Sequence, residues 1–200
     1  FHVSGSSQSI LKAERLVLNS MQRMSAIATK TKSFVDLLEG TTTKVLDTRK
    51  TTPGIRAIEK WAVKIGGGEN HRFALYDMIM LKDNHIDSSR GITTAVNRTK
   101  LYLKENNLNL KIEVETRNID EVNEALAVGV DRIMLDNFNP EQCKIAVDVI
   151  GNQCETEASG GITLANIKEY ALSGVTYISL GYFTHSVKAL DISFKTKLKK

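Results

Sequence analysis

The sequence predicts an α/β fold with a parallel sheet, and three observations lead to this prediction. Short apolar stretches alternate with helical patterns about six times along the 200 residues. Polar residues and glycines directly follow those stretches, and no glycine-rich nucleotide fingerprint follows the first one. Alternation of this kind requires helical crossovers between parallel strands. A barrel and a doubly wound sheet both place polar groups at strand ends, but the missing fingerprint favours an α/β barrel.

The helical patterns are identified by their apolar spacing and by the residues that end them. Gly40 and Gly129 are plausible stops for two of the helices, and Pro140 is well placed in the first turn of another. In the helix after Gly54, we expect Ile55, Ile58, Trp61, Ala62 and Ile65 to share one apolar side. The predicted helices cover residues 10–38, 55–65, 92–103, 119–128, 140–150 and 164–172.

The strand patterns are short apolar or alternating runs bounded by polar residues and glycine. The run at 111–115 alternates between charged and apolar residues, and the run at 132–136 ends on an acid. The predicted strands cover residues 43–47, 78–81, 111–115, 132–136, 154–158 and 177–180.

Composition narrows the class of protein. The chain has 27 Lys and Arg, 23 Asp and Glu, a formal charge of +4 and 42% apolar residues, which suits a globular domain with a sizeable core. The basic residues are interleaved with acids and aromatic residues make up only 6%, so we expect no nucleic-acid partner. No apolar run approaches the length of a membrane span. The two cysteines show no disulfide or zinc pattern, so we expect a cytoplasmic protein.

The polar residues at the predicted strand ends are the candidate site. Because the carboxyl ends of parallel strands meet at one rim, we expect these residues to converge. They are Thr48, Arg49, Lys50, His71, Arg72, Lys82, Glu115, Asp136, Ser159, Gly160, Gly161 and Gly181.

The chemistry of this rim favours an anionic substrate. Arginines bind carboxylates and phosphates bidentately, and lysines act as point charges. Ser159-Gly160-Gly161 precedes a predicted helix and is typical of a barrel phosphate site, with Gly181 beside it. Glu115 and Asp136 could hold Mg²⁺, bind sugar hydroxyls or stabilise a positively charged carbon. Paired carboxylates also occur in glycosidases, but a pocket rich in cations argues against a neutral glycoside.

Several long motifs resemble those of the quinolinate phosphoribosyltransferase family, the nicotinate-nucleotide pyrophosphorylases. They cover the chain in order from about Ala13 to Ile192, and small departures occur at Ala26 and Ala74, where glycine would be expected. The motifs are DTRKTTPGIR, GGGENHRFALYDMIMLKDNH, IEVE, IMLDNF, EASGGIT and SLGYFTHS.

The resemblance implies an incomplete, open α/β barrel with the remnant of an N-terminal α+β sandwich domain, most of which is missing. The expected division is residues 1–25 for the end of the sandwich domain, 26–185 for the barrel, and 186–200 for a tail that returns to the sandwich domain. It also implies a homodimer with shared active sites and is compatible with a higher oligomer. The implied reaction joins quinolinate to phosphoribosyl pyrophosphate with Mg²⁺ and gives nicotinate mononucleotide, pyrophosphate and CO₂.

The resemblance also implies roles for individual residues. Arg49, His71, Arg72 and Lys82 match quinolinate-binding cations, and Lys50 matches a lysine shared between the two substrates. Lys50, Lys82, Glu115 and Asp136 are the expected catalytic residues, the two acids acting at the ribose and the metal, either directly or through metal-bound substrate. The phosphate loops are matched by Ser159, Gly160, Gly161 and Gly181.

For Arg15 alone, the resemblance and the sequence pattern lead to opposite interpretations. By pattern alone, Glu14-Arg15 is a solvated charge pair near the start of a helix, whereas the family places an arginine from the neighbouring subunit at this position. Two other functions remain open: a paralogue of the same fold that acts on another aromatic acid, and a non-catalytic anion-binding protein. The two carboxylates beside the cations favour an enzyme.

Overall fold

The computed structural model describes residues 2–195 and has an α/β architecture built on a parallel sheet. Its strands are β1 (Lys44–Leu46), β2 (Ile79–Leu81), β3 (Ile112–Thr116), β4 (Arg132–Asp136), β5 (Glu155–Ser159) and β6 (Tyr177–Ser179). Its helices are α1 (Ser7–Leu37), α2 (Arg56–Ile65), α3 (Asp83–Ser89), α4 (Ile92–Glu105), α5 (Ile119–Val128), α6 (Pro140–Ile150), α7 (Ile167–Leu172) and α8 (Tyr182–His185). Each predicted strand is present, with ends that differ by at most one residue.

The strand order confirms the barrel-type sheet. The order is β1-β6-β5-β4-β3-β2, and all five pairings are parallel. From β2 to β6 each strand is added beside the previous one in the same direction, whereas a doubly wound sheet reverses direction at a switch point. Strands β1 and β2 do not pair with each other, and beyond β1 a single bridge joins Leu46 to Glu69. The sheet is therefore that of an open barrel.

The two faces of the sheet differ in chemistry. In β3, Ile112 and Val114 belong to the apolar core beneath the helices, while Glu113 and Glu115 alternate with them and therefore point to the inner face. The register aligns Asp136 with Ser159, so the strands end level with each other. The inner face is thus the charged one, and its upper edge is the rim predicted to hold the site.

Helix α1 supports the sheet with only part of its length. Ile27 and Phe34 are fully buried, whereas Leu11 and Leu16 near the start are 60% and 76% exposed. The helix crosses the predicted domain boundary after residue 25 without a break, and the division into domains stays a prediction. Later in the chain, Leu190 N donates to Gln22 O at 3.2 Å, so this part of the tail lies along α1. Residues 196–200 of the predicted tail lie outside the described residues.

The predicted apolar side of α2 is wrong in part. Trp61 and Ile65 are 63% and 59% exposed, whereas Glu59 and Lys60 are buried with Ala62 and Val63. Hydrophobic periodicity could not anticipate this arrangement, because it takes no account of the buried charged partners that Glu59 and Lys60 find elsewhere in the chain. Helices α3 and α8 were also not predicted, since they have only 7 and 4 residues and no clear apolar period.

The glycine run after α2 allows a close approach to α1. A Cβ atom on Gly66 would lie 2.5 Å from Ala28 O, and one on Gly68 would lie 2.8 Å from Thr31 Cγ2. Gly67 has φ +88°, a conformation that favours glycine. The run therefore lets the chain turn tightly against α1 before it enters the candidate site.

No helix in residues 2–195 is both long and apolar enough to cross a membrane.

Candidate active site

The structure brings most of the predicted residues to one edge of the sheet. Their order along this rim follows the strand order, because each residue lies at or directly after the end of its strand. The row runs from Thr48, Arg49 and Lys50 after β1, through Gly181 after β6, Ser159, Gly160 and Gly161 at the end of β5 and Asp136 at the end of β4, to Glu115 in β3 and Lys82 after β2.

The acidic side of the rim contains one lysine and two carboxylates. Lys82 Nζ lies 2.5 Å from Glu115 Oε2, which makes a close ion pair with a half-exposed lysine and a nearly buried glutamate. Burial and the neighbouring Glu115 raise the pKa of Asp136, while Lys82 acts in the opposite direction. The two carboxylates therefore carry more negative charge than Lys82 alone neutralises, which suits a further cation.

The cationic side contains two arginines close to each other. Burial lowers the pKa of Arg72, and the nearby Arg49 lowers it further. Arg72 Nη1 donates to Met78 O at 3.1 Å, and Arg56 Nη2 donates to Arg49 O at 3.1 Å, so both segments are held by side chain to backbone bonds. Because the positive charge of Arg49 acts unfavourably on that of Arg72, an anion bound between the two would be stabilised.

The turn after β6 approaches the loop after β1. Thr184 Oγ1 donates to Lys50 O at 2.7 Å, and a Cβ atom on Gly181 would lie 3.1 Å from Lys50 Cδ and 2.9 Å from His185 Cδ2. Gly181 therefore leaves room for both side chains. The sequence interpretation missed His185, although it lies four residues after Gly181 in the same motif, SLGYFTHS.

The structure does not bring His71 to the open rim. Its side chain is buried below the rim, where Nε2 lies 3.1 Å from Glu113 Oε2 and 3.4 Å from Glu157 Oε2. Nδ1 accepts from Arg72 N at 2.7 Å. The two glutamates were also missed. Each lies two residues before a predicted site residue, Glu115 or Ser159, and the two-residue period of a strand could have identified both.

The positions of the protons in this buried trio follow from two opposing effects. Burial lowers the pKa of His71, but the carboxylates of Glu113 and Glu157 beside Nε2 outweigh it and raise the pKa to about 9. The Arg72 N–H requires a lone pair on Nδ1, however, and an imidazolium has none. His71 is therefore neutral with its proton on Nε2, and the additional proton that this buried acidic cluster attracts is bound by a carboxylate. The second proton then lies on Glu113, whose pKa burial and Glu157 raise to about 7.

The same trio is the group of potential metal ligands found within residues 2–195, with ligand atoms within 4.8 Å of one another. Two contacts argue against a cation there. Arg132 Nη1 already lies 3.0 Å from Glu157 Oε2, and the Arg72 N–H at Nδ1 keeps the proton of His71 on the nitrogen that faces the glutamates. The trio is better explained as a buried charge-balanced cluster.

A second buried ion pair fixes the segment that carries His71 and Arg72. Asp47, at the end of β1, pairs with Lys60 of α2 and accepts from His71 N at 2.9 Å and Asn70 Nδ2 at 2.7 Å. Lys60 Nζ also donates to His71 O at 2.9 Å. Burial raises the pKa of Asp47 and lowers that of Lys60, which shows that desolvation is the largest influence on both groups.

The neighbouring residue on α2 holds the other rim loop. Glu59 accepts from Thr52 N and from Thr52 Oγ1, both at 2.9 Å, and pairs with Arg23 of α1 at 2.8 Å. Arg23 Nη1 also donates to Val187 O at 3.0 Å. Glu59 and Lys60 together therefore attach both cationic segments of the rim to one helix.

The family model for the C-terminal domain of quinolinate phosphoribosyl transferase matches residues 27–195. The chain is 50% identical to quinolinate phosphoribosyltransferase (decarboxylating) 1b of Nicotiana tabacum and 49% identical to nicotinate-nucleotide pyrophosphorylase (carboxylating), chloroplastic, of Arabidopsis thaliana. Each match covers 96% of this chain and 59% of the relative, so the chain spans about three fifths of the length of these relatives.

Solved structures give the same result. The chain superposes on NadC from Streptococcus pyogenes with a TM-score of 0.90 and 43% identity, over 96% of this chain and 66% of that one. The nicotinate-nucleotide pyrophosphorylase from Francisella tularensis gives a TM-score of 0.88 and 44% identity, over 94% and 65% of the two chains.

Removing Lys60 should destabilise the fold more than removing a surface lysine. Lys60→Met leaves the Asp47 carboxylate buried without its cation, which should lower the free energy of unfolding by about 3–5 kcal/mol. Urea denaturation of the full-length protein measures this. The control is Lys144→Met, which removes an exposed ion pair to Asp148 and should change stability by less than about 0.5 kcal/mol. Equal losses in the two variants would contradict the role given to Lys60.

The buried acid Glu113 should make stability depend on pH. Because its pKa is raised from 4.5 to about 7, the folded state binds more protons than the unfolded state between these values. The free energy of unfolding should therefore fall as the pH rises from about 4.5 to about 7. In Glu113→Gln this contribution to the slope should disappear, whereas the exposed control Asp148→Asn should keep it. Urea titrations across this pH range measure the slopes, and an unchanged slope in Glu113→Gln would exclude this assignment.

Proposed function

Because this chain belongs to the quinolinate phosphoribosyltransferase family, we propose that the full-length protein transfers a phosphoribosyl group from phosphoribosyl pyrophosphate to quinolinate. The products would be nicotinate mononucleotide, pyrophosphate and CO₂, a step of NAD biosynthesis. The observation that carries the proposal is the rim itself, where Arg49, Lys50 and Lys82 follow strands on the same edge as the carboxylates Glu115 and Asp136. The charge of Arg72 adds to that of Arg49. A multiply anionic acid and a pyrophosphate ester both need such cations, and a developing carbocation needs the acids.

The cationic side of the rim suits the aromatic acid. Arg49 and Arg72 lie close together, and their guanidinium groups can each bind a carboxylate through two N–H donors. Lys82 offers a further positive charge at the other end of the row. We propose that these three residues hold the two carboxylates of quinolinate so that its ring nitrogen faces the sugar. Such positioning removes much of the entropic cost of bringing two substrates together.

The acidic side suits the phosphoribosyl half. Glu115 and Asp136 lie at the ends of neighbouring strands, and Ser159 is level with Asp136 on the next strand. As the bond from the anomeric carbon to pyrophosphate breaks and the bond to the ring nitrogen forms, positive charge develops on the sugar, and a nearby carboxylate stabilises it. We propose that Ser159, Gly160, Gly161 and Gly181 bind phosphate, and that Lys50 lies between the two substrates.

The two acids also fit Mg²⁺. Carboxylate oxygens are the protein ligands that this ion prefers, and the raised pKa of Asp136 beside Glu115 indicates negative charge that a cation would offset. Glu115 and Asp136 would hold the ion either directly or through bound pyrophosphate. When bound, Mg²⁺ neutralises negative charge on the departing pyrophosphate.

Loss of CO₂ follows from the first step. Once the ring nitrogen carries the ribosyl group it is positively charged, so the ring can accept the electron pair left behind when the bond to the adjacent carboxylate breaks. A proton then replaces CO₂ on that ring carbon. Arg49 and Arg72 contribute by holding the ring in place.

The exposed start of α1 supports a shared active site. Arg15 is exposed and lies about 12 Å along the helix from Arg23, which contacts the rim of its own barrel. Leu11 and Leu16 flank it with large apolar surfaces that are unusual on a solvated helix. We propose that this end of α1 packs against a second subunit and that Arg15 reaches the partner's site.

We propose the cytoplasm as the compartment of this protein, although the Arabidopsis thaliana relative is named chloroplastic.

The rim should select a dicarboxylate. Arg49, Arg72 and Lys82 provide more positive charge than one carboxylate needs. The full-length protein should therefore use quinolinate with a kcat/KM at least about 10²-fold above that for nicotinate, since nicotinate leaves part of this site without its charged partner. Release of pyrophosphate and CO₂ with each acid measures this. Equal use of both acids would favour the paralogue, and binding of phosphoribosyl pyrophosphate without turnover would favour the non-catalytic anion-binding protein.

Mixed dimers should test the shared site. Arg15→Ala and Lys82→Ala homodimers should each be nearly inactive, because every site lacks one substrate anchor. Co-expressed heterodimers should regain up to about half of the wild-type activity, since one of their two sites combines intact Lys82 with the partner's intact Arg15, and contributions of separate sites add. Heterodimers that stay as inactive as both parents would show that Arg15 serves its own subunit.

A further inference from the structure

Asn137 adopts an unusual backbone conformation directly after Asp136. Its φ is +57°, in the left-handed region that asparagine tolerates better than most residues. The other positive-φ residues besides glycine within residues 2–195 are Arg90 and Asn107, and both lie at the ends of helices. Asn137 instead follows the last residue of β4, at the rim of the site. Strained backbone at such a place often serves a function.

Asn137 contacts both sides of the site that the proposed function assigns to the phosphoribosyl group. Its Nδ2 donates to Asp136 Oδ2 at 2.7 Å, and its backbone N–H donates to Ser159 O at 2.8 Å. Its Oδ1 lies against the backbone of Gly160, where a Cβ atom would come within 2.2 Å of it. Gly160, with φ +97°, therefore leaves the space that Asn137 occupies.

We propose that Asn137 is a positioning residue that couples the Asp136 carboxylate to the phosphate-binding turn at residues 159–161. The left-handed backbone turns its side chain back toward Asp136 and across Gly160 at the same time. The side-chain amide of Asn137 donates to Oδ2 of Asp136. The other oxygen of that carboxylate, Asp136 Oδ1, is then available for the sugar or the metal. The carboxylate and the phosphate turn then keep a constant separation, which matters because both must engage one phosphoribosyl pyrophosphate molecule. The inference rests on the proposed function for the identity of that ligand.

The informative variant is Asn137→Gly, because glycine keeps the left-handed backbone and removes only the amide. The matched control is Asn107→Gly, which makes the same change at a left-handed position remote from the site. Asn137→Asp keeps the shape but places a second carboxylate against Asp136. We would measure kcat, both KM values and thermal stability of the full-length protein, and would measure the binding of Mg²⁺ and inorganic pyrophosphate by calorimetry.

In Asn137→Gly, kcat/KM for phosphoribosyl pyrophosphate and the affinity for Mg²⁺ with pyrophosphate should each fall about 10–100-fold, as for the loss of other supporting hydrogen bonds near metal sites. The KM for quinolinate should change less than about twofold, since its cations lie on other loops. Both of these quantities, kcat/KM for phosphoribosyl pyrophosphate and the affinity for Mg²⁺ with pyrophosphate, should fall further in Asn137→Asp than in Asn137→Gly. Asn107→Gly should behave as wild type in every measurement.

A double-mutant cycle tests the contact with Gly160. Gly160→Ala should weaken pyrophosphate binding strongly in the wild type and less in the Asn137→Gly background, where the collision with Oδ1 is absent. Additive effects would overturn the coupling.

The positioning role would also be overturned if Asn137→Gly matched the control, or if it raised both KM values equally together with a loss of thermal stability. If the wild-type protein binds Mg²⁺ and pyrophosphate but does not turn over quinolinate, only the proposed function is refuted. The double-mutant cycle, measured by calorimetry, would still decide the role of Asn137.

Discussion

The inner face of the sheet is held by pairing between buried charges, and the geometry of the rim depends on this constraint. The outer face takes the apolar burial, with residues such as Ile133 and Val114 fully covered by helices. The inner face carries Glu113 and Glu157, which are equally buried but charged or protonated. Taking such groups out of water is costly unless each finds a partner. Arg132 is the cation that pairs with Glu157, and the neutral His71 lies against both acids, so these four groups must be placed together.

Helix α2 transmits this pairing to the site. Two consecutive residues, Glu59 and Lys60, project from one helix toward different rim segments: Glu59 holds the loop at Thr52, and Lys60 holds the backbone at His71. The cations that face solvent are thus attached to backbone that is fixed from below. A site that binds polyanions gains from such support, because flexible arginines lose more conformational freedom on binding than fixed ones.

Much of the fold and of the rim could be predicted because both depend on local periodicity. Helices α5 and α6 and strand β4 lie where apolar spacing, Gly129 and Pro140 indicate. The supporting charges could not be predicted in the same way. Whether Glu59 is buried depends on Arg23, 36 residues earlier, and the exposure of Trp61 depends on which side of α2 meets α1. Likewise, His71 has a motif typical of a binding residue, but its direction depends on two glutamates on other strands.

The strand order also has a consequence for how the protein folds. Strands β3 to β6 each pair with the strand that precedes them in the chain, so this part of the sheet can form in steps as the chain leaves the ribosome. Strand β1 is synthesised first but pairs with β6, where Lys44 lies level with Tyr177. It must therefore wait for nearly the whole barrel before it has a partner, and such distant pairings slow folding. During that interval Val45 and Leu46 of β1 lack the partner strand beside which they are buried in the final fold.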